Sequence, residues 1–175
     1  ANKPKDVFKK IEYRDEADVA VLLMETEELP PDSAAYYIAE RANVEPEKVV
    51  MVLTSTTSLA GMVQISGRIV ETGLFRLDIL GLDPKKVMYG AGYAHVMPVH
   101  PDVGVAMGRA EDALTYGGVT TYVVDESEDV LKDLTEKAPS TNCKDYGKTS
   151  YEIYKAVDFD FTKIDPALFA PAAIT

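Results

Sequence analysis

Short apolar runs rich in branched residues alternate with longer helical patterns along this chain, and that alternation most restricts its possible folds. The apolar runs predict buried strands at residues 18–25 and 48–54 and two further strands at residues 86–89 and 119–124. The helical patterns lie at residues 32–41, 60–80, 102–116, 126–137 and 150–157. Strands that alternate with helices favour layered αβ architectures. We therefore predict an α+β fold, αβ layered, with a mixed β-sheet and packed helices.

The start of the chain adds a further predicted strand. Residues 7–13 alternate between apolar and polar side chains and would form an antiparallel hairpin with the strand at 18–25, which is why a mixed sheet is expected. Residues 1–6 look like a linker. No repeat or internal boundary interrupts the pattern, so residues 1–175 are predicted to form a single αβ domain, or a fragment of a larger two-domain protein.

The two ends predict a fragment that is inactive by itself. The chain begins with Ala1, and residues 164–175 are apolar and contain two prolines. Natural termini are usually polar and loosely held. The alternative is a processed start and a C-terminal tail that docks on its own domain.

Charge and composition exclude several classes of protein. A net charge of −11 repels phosphate backbones, so non-specific nucleic-acid binding is not expected. No apolar run approaches the ~20 residues that a membrane helix needs. The single cysteine, Cys143, allows no internal disulfide and fits a reducing cytoplasm. We predict a cytoplasmic protein with neither nucleic-acid nor membrane partners.

Two possible sites have weak patterns. His95 and His100 are the only histidines, and their spacing places them on no common helical face, so no metal site is predicted. Residues 90–92 (GAG) follow a predicted strand, as in a dinucleotide-binding loop. The third glycine and the acidic ribose partner of that motif are missing, so a tight turn is the simpler interpretation. Nucleotide binding at these glycines remains a third hypothesis.

A polar stripe on the helix predicted at residues 60–80 is the best candidate for chemistry. Gln64, Arg68 and Glu71 fall on one helical face, and Ser66 and Gly67 interrupt its centre. Glycine inside a helix costs roughly 0.5–1 kcal/mol relative to alanine, and close approach of a ligand is one reason to keep it. The stripe also follows a hydroxyl-rich loop at a strand end, where αβ proteins often bind ligands. The alternative is an ion pair on a solvated face.

The segment that carries this stripe, VQISGRIVET at residues 63–72, resembles the signature of the methenyltetrahydromethanopterin cyclohydrolases. Four more segments are similar to that family in the same order, at residues 11–21, 81–87, 144–156 and 161–172. Several co-linear motifs are more specific than one short pattern. The chain therefore resembles the second half of that family's proteins.

The resemblance implies a function and an assembly. Family members are cytoplasmic homotrimeric enzymes of one-carbon metabolism, including methanogenesis. These hydrolases interconvert 5,10-methenyltetrahydromethanopterin and N5-formyltetrahydromethanopterin by adding water. Their αβ fold has two domains with a pocket between them, so this chain would be one part of a two-domain enzyme. The pterin derivative is the substrate, and no prosthetic group is expected because the substrate already carries the electrophilic carbon.

The resemblance also implies roles for individual residues. The family's catalytic arginine and glutamate fall on Arg68 and Glu71. Glu71 would be the general base for water, and Arg68 would orient it and tune its pKa. We assign substrate binding to Gln64, Ser66 and Gly67. The alternative from another class is a non-catalytic oligomerisation or ligand-binding αβ domain with the stripe as an interface.

Overall fold

The computed structural model describes residues 15–175, so the strand predicted at 7–13 and the linker predicted at 1–6 lie outside the described residues. The described chain divides into two compact units, one up to Ser55 and the other from Thr56 to Thr175. The first unit contains, in chain order, β1 (Ala20–Glu25), α1 (Asp32–Ala42) and β2 (Val49–Thr54). The second unit contains α2 (Leu59–Ser66), α3 (Ile69–Ile79), β3 (Val87–Tyr93), α4 (Val103–Gly117), β4 (Val119–Val124), α5 (Glu128–Lys137), α6 (Ser150–Ala156) and β5 (Ala173–Ile174).

The first unit is a parallel β-α-β element. Strands β1 and β2 pair in parallel, with Ala20 opposite Val49, and α1 forms the crossover between them. Helix α1 ends at Asn43, whose left-handed φ of 56° is one that asparagine tolerates better than most residues. Burial alternates along both strands, so Leu23 and Val52 lie on an exposed face although their apolar runs predicted fully buried strands.

The second unit is built on a three-stranded mixed sheet. Strand β3 runs antiparallel to β4, with Val87 opposite Val124, and β5 joins β4 in parallel. Helices α3 and α5 pack on this sheet through a cluster of buried residues: Leu77, Leu82, Leu134, Ala138 and Ile174. The α+β class and the mixed sheet predicted from the sequence are therefore confirmed.

The apolar C-terminal segment packs on its own unit. Pro171 O accepts a hydrogen bond from Ser140 N at 3.0 Å, and Thr175 N donates to Thr120 O at 2.9 Å. A second core joins α6 to this segment through Cys143, Ile153, Tyr154, Ile164, Ala167 and Leu168.

The glycines at residues 90–92 belong to a strand rather than to the predicted turn. Strand β3 continues through them to Tyr93, with Gly90 paired to Tyr122 and Gly92 to Thr120. A Cβ at Gly90 would lie 3.0 Å from the Tyr122 ring, and one at Gly92 would lie 2.7 Å from Val119 O. The glycines thus allow close packing against the sheet, and their position within a paired strand removes the basis for the nucleotide-loop hypothesis.

A further close contact fixes α3 on the sheet. The Tyr122 hydroxyl donates to Val70 O at 2.6 Å and lies over Gly73, where an added Cβ would be 2.1 Å from the hydroxyl oxygen. We expect Gly73→Ala to lower the free energy of unfolding by about 1–3 kcal/mol, because either the tyrosine or the helix must move. Urea unfolding measures this, and Gly73→Ala combined with Tyr122→Phe should recover part of the loss. Wild-type stability in the single variant would contradict this packing.

Candidate functional site

A break between α2 and α3 places Arg68 at a helix junction. The single helix predicted at residues 60–80 is wrong, because α2 ends at Ser66 and α3 begins at Ile69. At the junction Arg68 N donates to Ile65 O at 3.0 Å in a tighter turn, and Arg68 adopts φ −87° and ψ 9°. Gly67, a poor helix former, stands where the break occurs.

The side chains of the predicted stripe remain in contact across this break. The Arg68 Nε donates to Gln64 Oε1 at 3.0 Å, and its Nη1 lies 3.6 Å from Glu71 Oε1. The side chains of Arg68 and Glu71 are 44% and 68% exposed. Glu71 lies in the first turn of α3, where the helix dipole favours a negative charge. The arrangement leaves the carboxylate open to a ligand while the guanidinium is held on two sides.

An open cleft of about 290 Å³ adjoins this pair. Its polar groups come from Arg68, Glu71, Thr72 and Glu111. Its apolar wall is formed by Ile65, Phe75, Leu114 and Phe169. Ligand sites commonly combine an apolar lining with a few converging polar groups, at volumes from about 300 Å³ upward. The cleft combines these two kinds of lining at a volume close to the lower end of that range.

The three residues predicted to bind substrate do not line this cleft. Gln64 acts on it indirectly, through its hydrogen bond to Arg68. Ser66 is only 6% exposed, and its hydroxyl donates to His95 O at 2.7 Å. Gly67 is exposed, and an added Cβ would meet only carbonyl oxygens of the preceding turn, at Val63 and Gln64. Their substrate-binding roles stay predictions.

Glu111 is a residue of the cleft that no sequence pattern predicted. It lies on α4, and its Oε1 is inaccessible and has no hydrogen-bond partner among the described residues. Burial, reinforced by the neighbouring Asp112 charge, raises the pKa of Glu111 to about 8. The sequence carried no clear signal for this burial, because Glu111 stands beside a second acidic residue, Asp112.

Other kinds of site find no support in residues 15–175. Within that range no group of three or more histidine, cysteine, aspartate or glutamate side chains is placed to hold a metal ion. None of the helices described there is long and apolar enough to cross a membrane.

Comparison with known proteins decides the family. A family model described as Cyclohydrolase (MCH) matches residues 1–175. The chain belongs to the MCH cyclohydrolase family. Methenyltetrahydromethanopterin cyclohydrolase of Methanothermobacter marburgensis is 44% identical over 176 residues, covering 99% of this chain and 55% of the relative. The resemblance inferred from the sequence motifs is thereby confirmed.

Other cyclohydrolases of this family match to the same extent. The methenyltetrahydromethanopterin cyclohydrolase of Methanocaldococcus jannaschii is 44% identical, with 99% of this chain and 54% of the relative covered. That of Methanococcoides burtonii is 43% identical, with 99% and 54% covered. The chain spans about half the length of the curated relatives it matches.

Proposed function

We propose that this chain supplies the catalytic pair of a hydrolase that interconverts 5,10-methenyltetrahydromethanopterin and N5-formyltetrahydromethanopterin by water addition. The observation that carries the proposal is the Arg68–Glu71 pair, 3.6 Å apart on an apolar-walled cleft. Membership of the cyclohydrolase family supports it. So do the relatives themselves, which are methenyltetrahydromethanopterin cyclohydrolases.

The reaction needs a nucleophilic water at a cationic carbon and a base for its proton. The water oxygen forms a bond to the methenyl carbon while one of its protons passes to Glu71. The bond from that carbon to the second nitrogen then breaks, the nitrogen takes up a proton, and the remaining hydroxyl proton is lost as the formyl C=O forms. The balance is methenyl cation plus water giving the formyl compound plus one proton. The electrophile belongs to the substrate, so we propose that no prosthetic group takes part.

Arg68 has a positioning role in this proposal. Its guanidinium is held by the Gln64 amide oxygen at 3.0 Å and faces Glu71 at 3.6 Å, so it orients the carboxylate. Ion pairs between side chains as exposed as those of Arg68 and Glu71 contribute little to the stability of a protein. A catalytic role is therefore the stronger reason for this arrangement.

We also propose that the intact protein is a cytoplasmic homotrimer. Exposed apolar side chains on the β3–β4 ribbon support association, including Tyr89 at 72% exposure and its strand partner Val123 at 51%. Because the chain carries a net charge of −11, counter-ions should help copies to approach. Light scattering at low and high salt measures the assembly, and a monomer at every salt concentration would contradict this proposal.

Hydration of methenyltetrahydromethanopterin by the purified intact protein is the direct test of the proposed function. We expect saturable turnover far above the uncatalysed rate, together with no binding of ATP or NAD in parallel titrations. Pterin binding without turnover would favour a ligand-binding domain, and failure to bind the pterin would contradict the proposal outright.

A further inference from the structure

The buried carboxyl of Glu111 is unexplained by the Arg68–Glu71 chemistry. It lines the same cleft as that pair, from α4 rather than from the α2–α3 junction. Its Oε1 is shielded from solvent and lacks a hydrogen-bond partner in the described part of the chain. Native proteins rarely leave a buried acceptor unpaired, because its desolvation is then uncompensated. Because Glu111 lines the cleft, a ligand bound there is one source of the missing donor.

The side chains around Glu111 do not provide that donor. The Thr115 hydroxyl, one turn along α4, donates to Leu168 O at 3.0 Å. Thr115 also lowers the pKa of the Glu111 carboxyl, but by less than burial raises it. Asp112 is an acceptor whose Oδ1 takes the Ser150 N–H at 2.8 Å, and its charge opposes ionisation of Glu111. From α6, the buried Tyr154 has its own pKa raised, first by burial and then by the Glu111 charge.

Across the cleft, the charged groups are Arg68 and Glu71. The guanidinium already faces Gln64 and Glu71, and the Glu71 carboxylate adds a second negative charge rather than a donor. The two carboxyl groups are thus differently placed. Glu71 is paired and exposed, and the Glu111 carboxyl is buried with an unpaired acceptor oxygen.

We infer that Glu111 binds the 2-amino-4-oxo edge of the pterin ring, receiving its ring N–H and its exocyclic amino N–H on the two carboxyl oxygens. This inference rests on the proposed function. Adjacent N–H donors on a flat edge match the spacing of carboxylate oxygens, and such two-point contacts fix orientation as well as affinity. Phe75, Leu114 and Phe169 supply apolar surface in the same cleft for the ring. Anchoring one edge at Glu111 would leave the one-carbon bridge to face Glu71.

Ligand binding should therefore release a proton. With its pKa near 8, Glu111 is neutral in the empty cleft at about pH 7. N–H donors from the ligand favour the carboxylate, so they lower that pKa and the proton leaves. Because binding releases a proton, the affinity for the pterin rises with pH up to about 8 and levels off above that pH.

Calorimetric titration of the intact protein with tetrahydromethanopterin tests this inference. Repeating it at about pH 7 in two buffers of different ionisation enthalpy counts the protons released. We expect wild type to release close to one proton, and Glu111→Gln to release none and bind about 10- to 100-fold more weakly, since the amide offers one acceptor where two are needed. Glu136→Gln, an exposed change on α5, is the matched control and should behave as wild type.

The outcomes separate this inference from the proposed function. Equal affinity and equal proton release in wild type and Glu111→Gln would overturn the role of Glu111 and leave the function intact. A lower kcat at saturation with unchanged affinity would also overturn it, because Glu111 would then serve proton transfer instead of anchoring. If wild type itself fails to bind the pterin, the proposed function fails. Circular dichroism of Glu111→Gln confirms that weak binding does not reflect unfolding.

Discussion

Glu71→Gln is expected to lower kcat for methenyltetrahydromethanopterin hydration at least about 100-fold, because general-base catalysis typically contributes ~10²–10⁴-fold. Glutamine keeps the size of the side chain and a hydrogen-bonding oxygen but cannot take the water proton. The Glu71 side chain is 68% exposed, so the substitution should leave folding unchanged. Substrate affinity should also persist, since the apolar wall and Glu111 are untouched. Steady-state turnover together with equilibrium binding measures both quantities.

Arg68→Lys separates positioning from charge at the same site. Lysine keeps the positive charge but loses the planar fork that faces Gln64 and Glu71 together. We expect its turnover to fall while its thermal stability changes little. Near-normal kcat in Glu71→Gln would show that the pair is a structural ion pair on a solvated face, even though the family assignment stands.

Glu111 is expected to make the stability of the protein depend on pH. Its pKa is raised from 4.5 to about 8 in the folded state, so the unfolded chain loses this proton at lower pH than the folded chain does. Below about pH 4.5 the carboxyl is protonated in both states and contributes no difference. As pH rises to about 8 the unfolded state is progressively favoured, and stability is lost at up to about 1.4 kcal/mol per pH unit.

Glu111→Gln removes this titration. The variant should gain stability relative to wild type between about pH 5 and 8, by a few kcal/mol in total. Urea unfolding followed by circular dichroism across that range, without ligand, measures the difference. Glu136→Gln should track wild type at each pH. Parallel stability curves for wild type and Glu111→Gln would contradict the burial of an unpaired carboxyl.

Local sequence patterns predicted the elements whose structure is set locally. The strand predicted at residues 119–124 coincides with β4. The prediction succeeded because the branched residues of this segment favour an extended backbone. Gly81, the residue that follows the helix predicted at residues 60–80, has φ +99° just after α3, as is common for a glycine at a helix end. The contact between Arg68 and Glu71 was also predictable, because a three-residue spacing brings side chains together even where a helix starts.

Features set by tertiary packing were not predictable in this way. Ser66 and Gly67 interrupt the helical pattern, but the apolar periodicity continues on both sides of them, so the sequence predicted one helix where the structure has α2 and α3. The extent of β3 depends on how closely its glycines approach Ile69 and Val70 at the start of α3. Glu111 stands beside Asp112 in the sequence, which suggests a solvated pair, and only the folded cleft shows that its carboxyl is buried.

Chemical rescue of Glu71→Ala by formate is the most direct test of the central claim, that Glu71 accepts the water proton beside Arg68. Truncation to alanine leaves space next to the guanidinium for a small carboxylate. We expect turnover in this variant to be strongly reduced and to rise with formate concentration, whereas Glu71→Gln, whose amide fills the space, and wild type should not respond. Wild-type turnover by Glu71→Ala in the absence of formate would contradict the claim.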